Sequence, residues 1–103
     1  MKKTFQLVHP KIKPARLIEA VRRDVKKYIK REKRKSLPEG VDYWDFDCKY
    51  GPTEAKAEII LTSEISKCIS EAEAENLESF YLEILVKPGH KKNLKTFETL
   101  DKN

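Results

Sequence analysis

The sequence is poor in the residues from which most catalytic and cofactor sites are built. It has three glycines, two cysteines and two histidines among 103 residues. It contains no phosphate-binding P-loop, no GxGxxG dinucleotide fingerprint and no GxSxG nucleophile elbow. Neither histidine has an evident nucleophile as a partner. The sequence therefore assigns no catalytic residue and no cofactor, and it favours a binding function over an enzymatic one.

Cysteine and histidine are also too widely spaced to predict a metal centre. Cys48, Cys68, His9 and His90 form no CxxC or HxxxH pair. Each cysteine falls within an apolar pattern, which predicts two reduced thiols in the core. We therefore expect no metal site from these four residues.

Long apolar runs are absent as well. No stretch approaches the roughly 20 apolar residues that a membrane-spanning helix needs. The opening Met-Lys-Lys is similar to the start of a signal peptide, but Gln6, His9 and Pro10 interrupt the apolar run that should follow. The expectation is a cytoplasmic protein without a membrane partner.

Charge is abundant and unevenly distributed. Charged residues make up 38% of the chain and hydrophobic residues 39%, which leaves enough apolar side chains for a core. Residues 1–40 carry fourteen Lys and Arg against four Asp and Glu, a net charge of +10. Residues 41–90 have a net charge of −7 and residues 91–103 a net charge of +2. A basic region of this kind indicates a polyanionic partner, and the opposite poles also allow the protein to pair with itself.

Hydrophobic periodicity predicts six elements in the order βαββαβ. Alternating patterns predict strands at 4–9, 41–50, 55–62 and 79–87, and helical patterns predict helices at 15–33 and 63–76. In the third strand, Ala57, Ile59 and Leu61 are predicted to face inward. The predicted fold is α+β: a ferredoxin-like βαββαβ two-layer sandwich with a four-stranded antiparallel sheet and two helices on one face. Residues 1–89 form the single domain, and residues 90–103 form a polar, flexible tail.

The first helix is predicted to carry apolar residues on one side and basic residues on the other. The basic side forms the candidate binding surface, which we name the basic face: Arg22, Arg23, Lys26, Lys27, Lys30, Arg31, Lys33 and Arg34. Such residues bind phosphates of RNA or DNA by displacing counterions, and RNA is favoured. Two alternatives stay open, namely a helix that is simply solvated, and contact with an acidic protein partner or the acidic surface of another copy.

The uncovered face of the predicted sheet offers a second candidate surface. Tyr43 and Tyr81 are placed there, as are the stacking aromatics of RNA-recognition domains. However, Asp45, Asp47, Glu58 and Glu83 are predicted to share that face and to repel phosphates. We therefore expect nucleic acid to meet the first helix and not the sheet.

The acidic residues of the sheet suggest a third hypothesis. Asp45, Asp47 and Glu58 are predicted on one face, where carboxylates can hold Mg²⁺ for phosphoryl chemistry. The competing interpretation is ordinary polar alternation, with Lys49 and Lys56 pairing across the strands.

Three segments carry a resemblance to a known family. They are KKTFQLVHPKIKPARLIEAV at 2–21, LPEGVDYWDFDCKYG at 37–51 and ESFYLEILVKPGH at 78–90. Over residues 1–90 the chain resembles a family of small uncharacterised bacterial proteins. The resemblance implies a bacterial cytosolic protein, and it supplies neither an activity nor catalytic residues.

Overall fold

The chain folds into a layer of sheet covered on one face by a layer of two helices. The computed structural model describes residues 1–91. Its elements are β1 (Lys2–Gln6), α1 (Pro14–Lys33), β2 (Tyr43–Gly51), β3 (Glu58–Ile60), α2 (Ile65–Ala74) and β4 (Ser79–Gly89), with a 3₁₀ turn at Thr62–Glu64. All strand pairs are antiparallel. The predicted α+β class, element order and antiparallel sheet are thus confirmed.

The strands lie in the order β1-β4-β2-β3. β4 is therefore central, and its sequence fits that position because residues 80–84 are all buried. β1 and β4 run antiparallel, so His9 and His90 follow opposite ends of this strand pair. His9 accepts a hydrogen bond from the Lys11 amide at 3.0 Å, whereas His90 Nδ1 contacts the Gly40 carbonyl at 2.9 Å. The two histidines thus have separate surroundings.

One hydrophobic cluster joins the sheet to both helices. Phe80, Leu82 and Ile84 of β4 are fully buried at its centre. The ring of Phe5 in β1 stacks on Phe80 with 5.4 Å between centroids. The helices contribute Ile18, Val21, Val25, Ile65, Ile69 and Ala72 to the same cluster. Both helices therefore cover the same face of the sheet.

The two cysteines lie in the interior, as predicted. Cys48 in β2 and Cys68 in α2 are buried, free thiols. Burial raises the pKa of both thiols, which keeps them neutral at physiological pH. They act as small apolar side chains in this environment.

The helix ends follow from local sequence. Pro14 occupies the first turn of α1, where its missing N–H removes no helical hydrogen bond. After α1, the Trp44 indole donates to the Lys35 carbonyl at 2.9 Å and ties the connecting segment to the sheet. α2 ends before Asn76, which adopts the predicted left-handed conformation with φ 53°.

The predicted orientation of β3 is wrong by one residue. Ile60 pairs with Cys48 and packs against the core, whereas Ile59 pairs with Lys49 on the opposite face and is 82% exposed. Leu61 is 67% exposed. Every inward and outward assignment in the strand is therefore exchanged, because the side chains of a strand alternate with a period of two. The same shift places Glu58 on the face of Tyr50, opposite the predicted one.

The start of the predicted tail is attached to the sheet. The Lys91 amide donates to the Asp42 carboxylate at 2.8 Å, and the Asp42 amide donates to the Gly89 carbonyl at 3.0 Å. The rest of the predicted flexible tail lies outside the described residues.

A matched pair of substitutions tests the register of β3. We expect Ile60→Ala to lower the free energy of unfolding by about 1–2 kcal/mol, because this half-buried side chain loses part of its core contact. Ile59→Ala should change it by less than about 0.5 kcal/mol because its side chain is in solvent. Urea unfolding measures both, and a larger loss for Ile59→Ala would contradict the register.

Candidate nucleic-acid interface

α1 presents the basic face to solvent over most of its length. The helix has 20 residues and is therefore about 30 Å long. Its apolar side is fixed by the contacts of Ile18, Val21 and Val25 with the core. The predicted site residues exposed on the other side are Arg23, Lys26, Lys27, Lys30, Arg31, Lys33 and Arg34. The fold thus brings seven of the eight predicted residues together on one exposed surface.

Arg22 differs from the other seven because it joins the two helices. Its Nη1 donates to Ser66 Oγ at 2.8 Å, and its Nη2 donates to Ser70 Oγ at 2.6 Å. The guanidinium thus bridges two successive turns of α2 and is already hydrogen-bonded. Arg22 sits beside the apolar arc of α1, so its angular position is the signal that distinguishes it from the fully exposed cations.

Most of the basic face is not neutralised by nearby carboxylates. Within residues 1–91, ion pairs involve Glu32 with Arg31 and Lys35, and Lys87 with Asp45 and Asp47. The exposed cations of the basic face outside these pairs are Arg23, Lys26, Lys27, Lys30, Lys33 and Arg34. Their positive charges therefore add to one another along the helix.

Glu32 is a buried carboxylate at the end of the basic face, and it was not singled out from the sequence. Only 4% of the residue is exposed. Lys35 Nζ lies 2.9 Å from Glu32 Oε1, and Arg31 Nε lies 3.6 Å from Oε2. The hydrogen bond from Lys35 holds the pKa of Glu32 below its ordinary value. Glu32 lies seven residues after the buried Val25, which is about two helical turns. This spacing predicts that Glu32 lies on the buried side of α1, and it is the feature of the sequence that could have identified the residue.

The three carboxylates of the magnesium hypothesis are not assembled. Lys87 Nζ lies 2.6 Å from Asp47 and 4.0 Å from Asp45, so this pair is already bridged by a cation. Glu58 is on the other face of the sheet. Residues 1–91 contain no group of three or more His, Cys, Asp or Glu side chains arranged to hold a metal ion. The predicted pairing role of Lys49 and Lys56 belongs to Lys87.

Only one of the two tyrosines on the uncovered sheet face is exposed to solvent. Tyr81 is buried, and its hydroxyl donates to Glu83 at 2.7 Å. This hydrogen bond is the main reason that the pKa of Tyr81 is raised to about 12. Tyr43 is exposed, but its ring lies directly over Gly89. A paired aromatic platform for stacking bases is therefore not formed there.

Glu32 predicts an acid-sensitive contribution to stability. Because its pKa is lower in the folded than in the unfolded protein, its stabilising effect is present above its ordinary pKa and is lost as the pH falls through the lowered value. We expect Glu32→Gln to destabilise the protein at pH 7 and to reduce the loss of stability on acidification. Urea unfolding, repeated from pH 7 down to acidic pH, measures both effects.

The control is Glu19→Gln, which removes the same charge from an exposed position of α1. It should leave the pH dependence close to that of the unmodified protein. If the free energy of unfolding depends on pH identically in the Glu32→Gln variant and the unmodified protein, the ion pairs of Glu32 do not contribute to the acid sensitivity of the fold.

The comparisons with known proteins give a family and no activity. No helix within residues 1–91 is long and apolar enough to cross a membrane. No curated protein and no solved structure matches the chain. One family model covers residues 1–95. The chain therefore belongs to the family of unknown function DUF6172.

Proposed function

We propose that the protein is a non-enzymatic module that binds nucleic acid, preferably RNA, through the basic face of α1. The observation that supports this proposal is a row of six exposed cations along α1 and at its C-cap, none of them ion-paired within residues 1–91. Lys and Arg bind phosphates and position a nucleic acid without reading its sequence. The role of Arg22 in this proposal is to hold the two helices together.

The surroundings of α1 favour RNA over the major groove of DNA. A helix that reads DNA enters the major groove and places several side chains against base edges. Here the inner side of α1 is covered by the sheet and part of its flank by α2, which leaves one side for contacts with a phosphate backbone. Residues 41–90 have a net charge of −7, so this part of the chain repels phosphates and the contact is confined to α1. We place the protein in the bacterial cytosol.

A titration at two salt concentrations tests the proposal. We expect labelled RNA to bind with an affinity whose logarithm falls with the logarithm of salt at a slope of about −3 to −4, if about four phosphates are contacted. Changing Lys26, Lys27, Lys30 and Lys33 to Gln should abolish binding, because these four lysines supply much of the attraction. Fluorescence anisotropy at about 50 and 200 mM salt spans the range in which such contacts weaken.

The matched control changes four exposed lysines outside α1, namely Lys2, Lys11, Lys49 and Lys67, to Gln. It has the same net charge as the α1 variant and should retain most of the affinity. Equal loss in both variants would show a general effect of net charge. No binding by the unmodified protein at low salt would overturn the proposal.

A protein-interaction or self-assembling role is the second candidate. In this case the basic face pairs with an acidic surface, either on a second copy of the chain or on a different protein. The observation that favours it is the exposure of Ile59 and Leu61 beside the open edge of the sheet. Adjacent exposed apolar side chains on an edge strand are typical of surfaces that contact another protein.

Light scattering over a range of concentrations tests this second candidate. Self-assembly predicts a mass that rises with concentration, falls at high salt and is lowered by Ile59→Lys. Val8→Lys is the control, since Val8 is also exposed but lies outside the strands. A constant monomer mass under all conditions would exclude assembly through this edge.

A further inference from the structure

α1 is longer than α2, and the difference leaves an open notch beside the basic face. α1 has 20 residues and α2 has 10. The strand directions make the two helices antiparallel, and Arg22 of α1 lies beside Ser66 and Ser70 of α2. The last turns of α1 therefore continue beyond the first residue of α2. The resulting cavity of about 380 Å³ is lined by Val25, Lys26, Ile29, Lys30, Lys33 and Arg34. We name it the α1 notch.

The notch combines an apolar floor with a cationic rim. Val25 and Ile29 belong to, or pack against, the core and form the floor. The notch continues into a second depression of about 240 Å³ between the helices, where Ile65 and Ile69 extend the apolar surface. The rim cations are exposed, and none is ion-paired within residues 1–91. This combination suits a ligand that has both an apolar surface and a negative charge.

We propose that the α1 notch receives an unstacked base from a single-stranded RNA loop, while Lys26, Lys30, Lys33 and Arg34 hold the adjacent phosphates. The inference rests on the proposed function and specifies its ligand. A base in a duplex is stacked and paired, so only its edges are accessible. A base in a loop can be turned outward, and proteins that recognise RNA sequences mostly bind such loops.

The neighbouring side chains can hold a base without an aromatic platform. The alkyl stems of the lysines enlarge the apolar surface around Ile29 while their ammonium groups stay in water. Arg34 can place its planar guanidinium against the face of a base. The notch is an open depression along one side of α1, so a base can enter it from solvent. Its position adjoins the phosphate-binding surface directly.

The other surface considered for RNA binding lacks this combination. The uncovered sheet face carries Asp45 and Asp47, and its buried Tyr81 is hydrogen-bonded to Glu83. By contrast, the floor of the α1 notch is held in place by the core, since Val25 is buried in the hydrophobic cluster and Ile29 packs against it. The site is therefore formed before RNA arrives.

The test compares two RNAs with the same number of phosphates: a hairpin with an adenosine-rich loop and a blunt duplex. Anisotropy titrations at fixed salt should show that the hairpin binds about tenfold more tightly, since apolar contact with a base adds to phosphate binding. A 2-aminopurine placed in the loop should change its fluorescence on binding. The same label placed in the stem should not.

Three variants distinguish base binding in the α1 notch from phosphate binding elsewhere on α1. Ile29→Ala should lower the hairpin-to-duplex affinity ratio about tenfold, and circular dichroism will verify that it folds. Lys33→Gln, at an exposed rim position, should also lower the ratio and does not depend on the core. Lys27→Gln, which lies outside the notch, should weaken both RNAs by the same factor.

The outcomes distinguish the notch from the proposed function. Equal affinity for hairpin and duplex, or a silent loop label, would overturn the base-binding site and leave phosphate binding by α1 in place. An acidic amphipathic peptide that occupies the notch, together with no loop preference, would also overturn it. Absence of binding to either RNA would overturn the notch and the proposed function together.

Discussion

The two-sided nature of α1 is the constraint on which the rest of the structure depends. Its apolar side packs on a core centred on Phe80, Leu82 and Ile84 of the central strand β4. Burying these side chains is the main source of stability in a domain of this size. The contact also sets the rotation of α1 about its own axis. The cations of residues 23–34 are consequently exposed together, although no interaction among them favours this arrangement.

Two polar residues define the limits of this exposed surface. Arg22 closes the side nearest α2 through its hydrogen bonds with Ser66 and Ser70. Glu32 neutralises part of the charge at the C-terminal end through Lys35 and Arg31. Both lie near the boundary between the apolar and basic sides of the helix. The surface that remains is smaller than the run of basic residues in the sequence suggests, and its unpaired cations fall within residues 23–30 and at Lys33 and Arg34.

The sequence predicted α1 and β4 well because their patterns are long and uninterrupted. Twenty residues of helical periodicity leave little choice of buried side, and the five buried residues of β4 suit a central strand. β3 was predicted in the wrong orientation because it has only three residues and follows a turn. Apolar residues occupy three consecutive positions, 59–61, so the pattern does not decide which of them is buried.

The candidate site was predictable as a set of residues but not as a surface. Helical periodicity places seven cations on one side, whereas the hydrogen bonds of Arg22 require knowledge of where α2 lies. The α1 notch arises from the difference in length between two helices that are 31 residues apart in sequence. The prediction that Asp45, Asp47 and Glu58 share one face was wrong for the same reason as the predicted orientation of β3. The change of register by one residue places Glu58 on the other face of the sheet.

Mapping amide chemical shifts during an RNA titration would locate the RNA contact surface directly. If RNA binds the basic face, the largest shifts fall on residues 23–34 and on the adjoining start of α2, with little change on the uncovered sheet face around Asp45, Asp47 and Tyr43. Shifts concentrated on that sheet face, or along β3 around Ile59, with α1 unaffected, would contradict it.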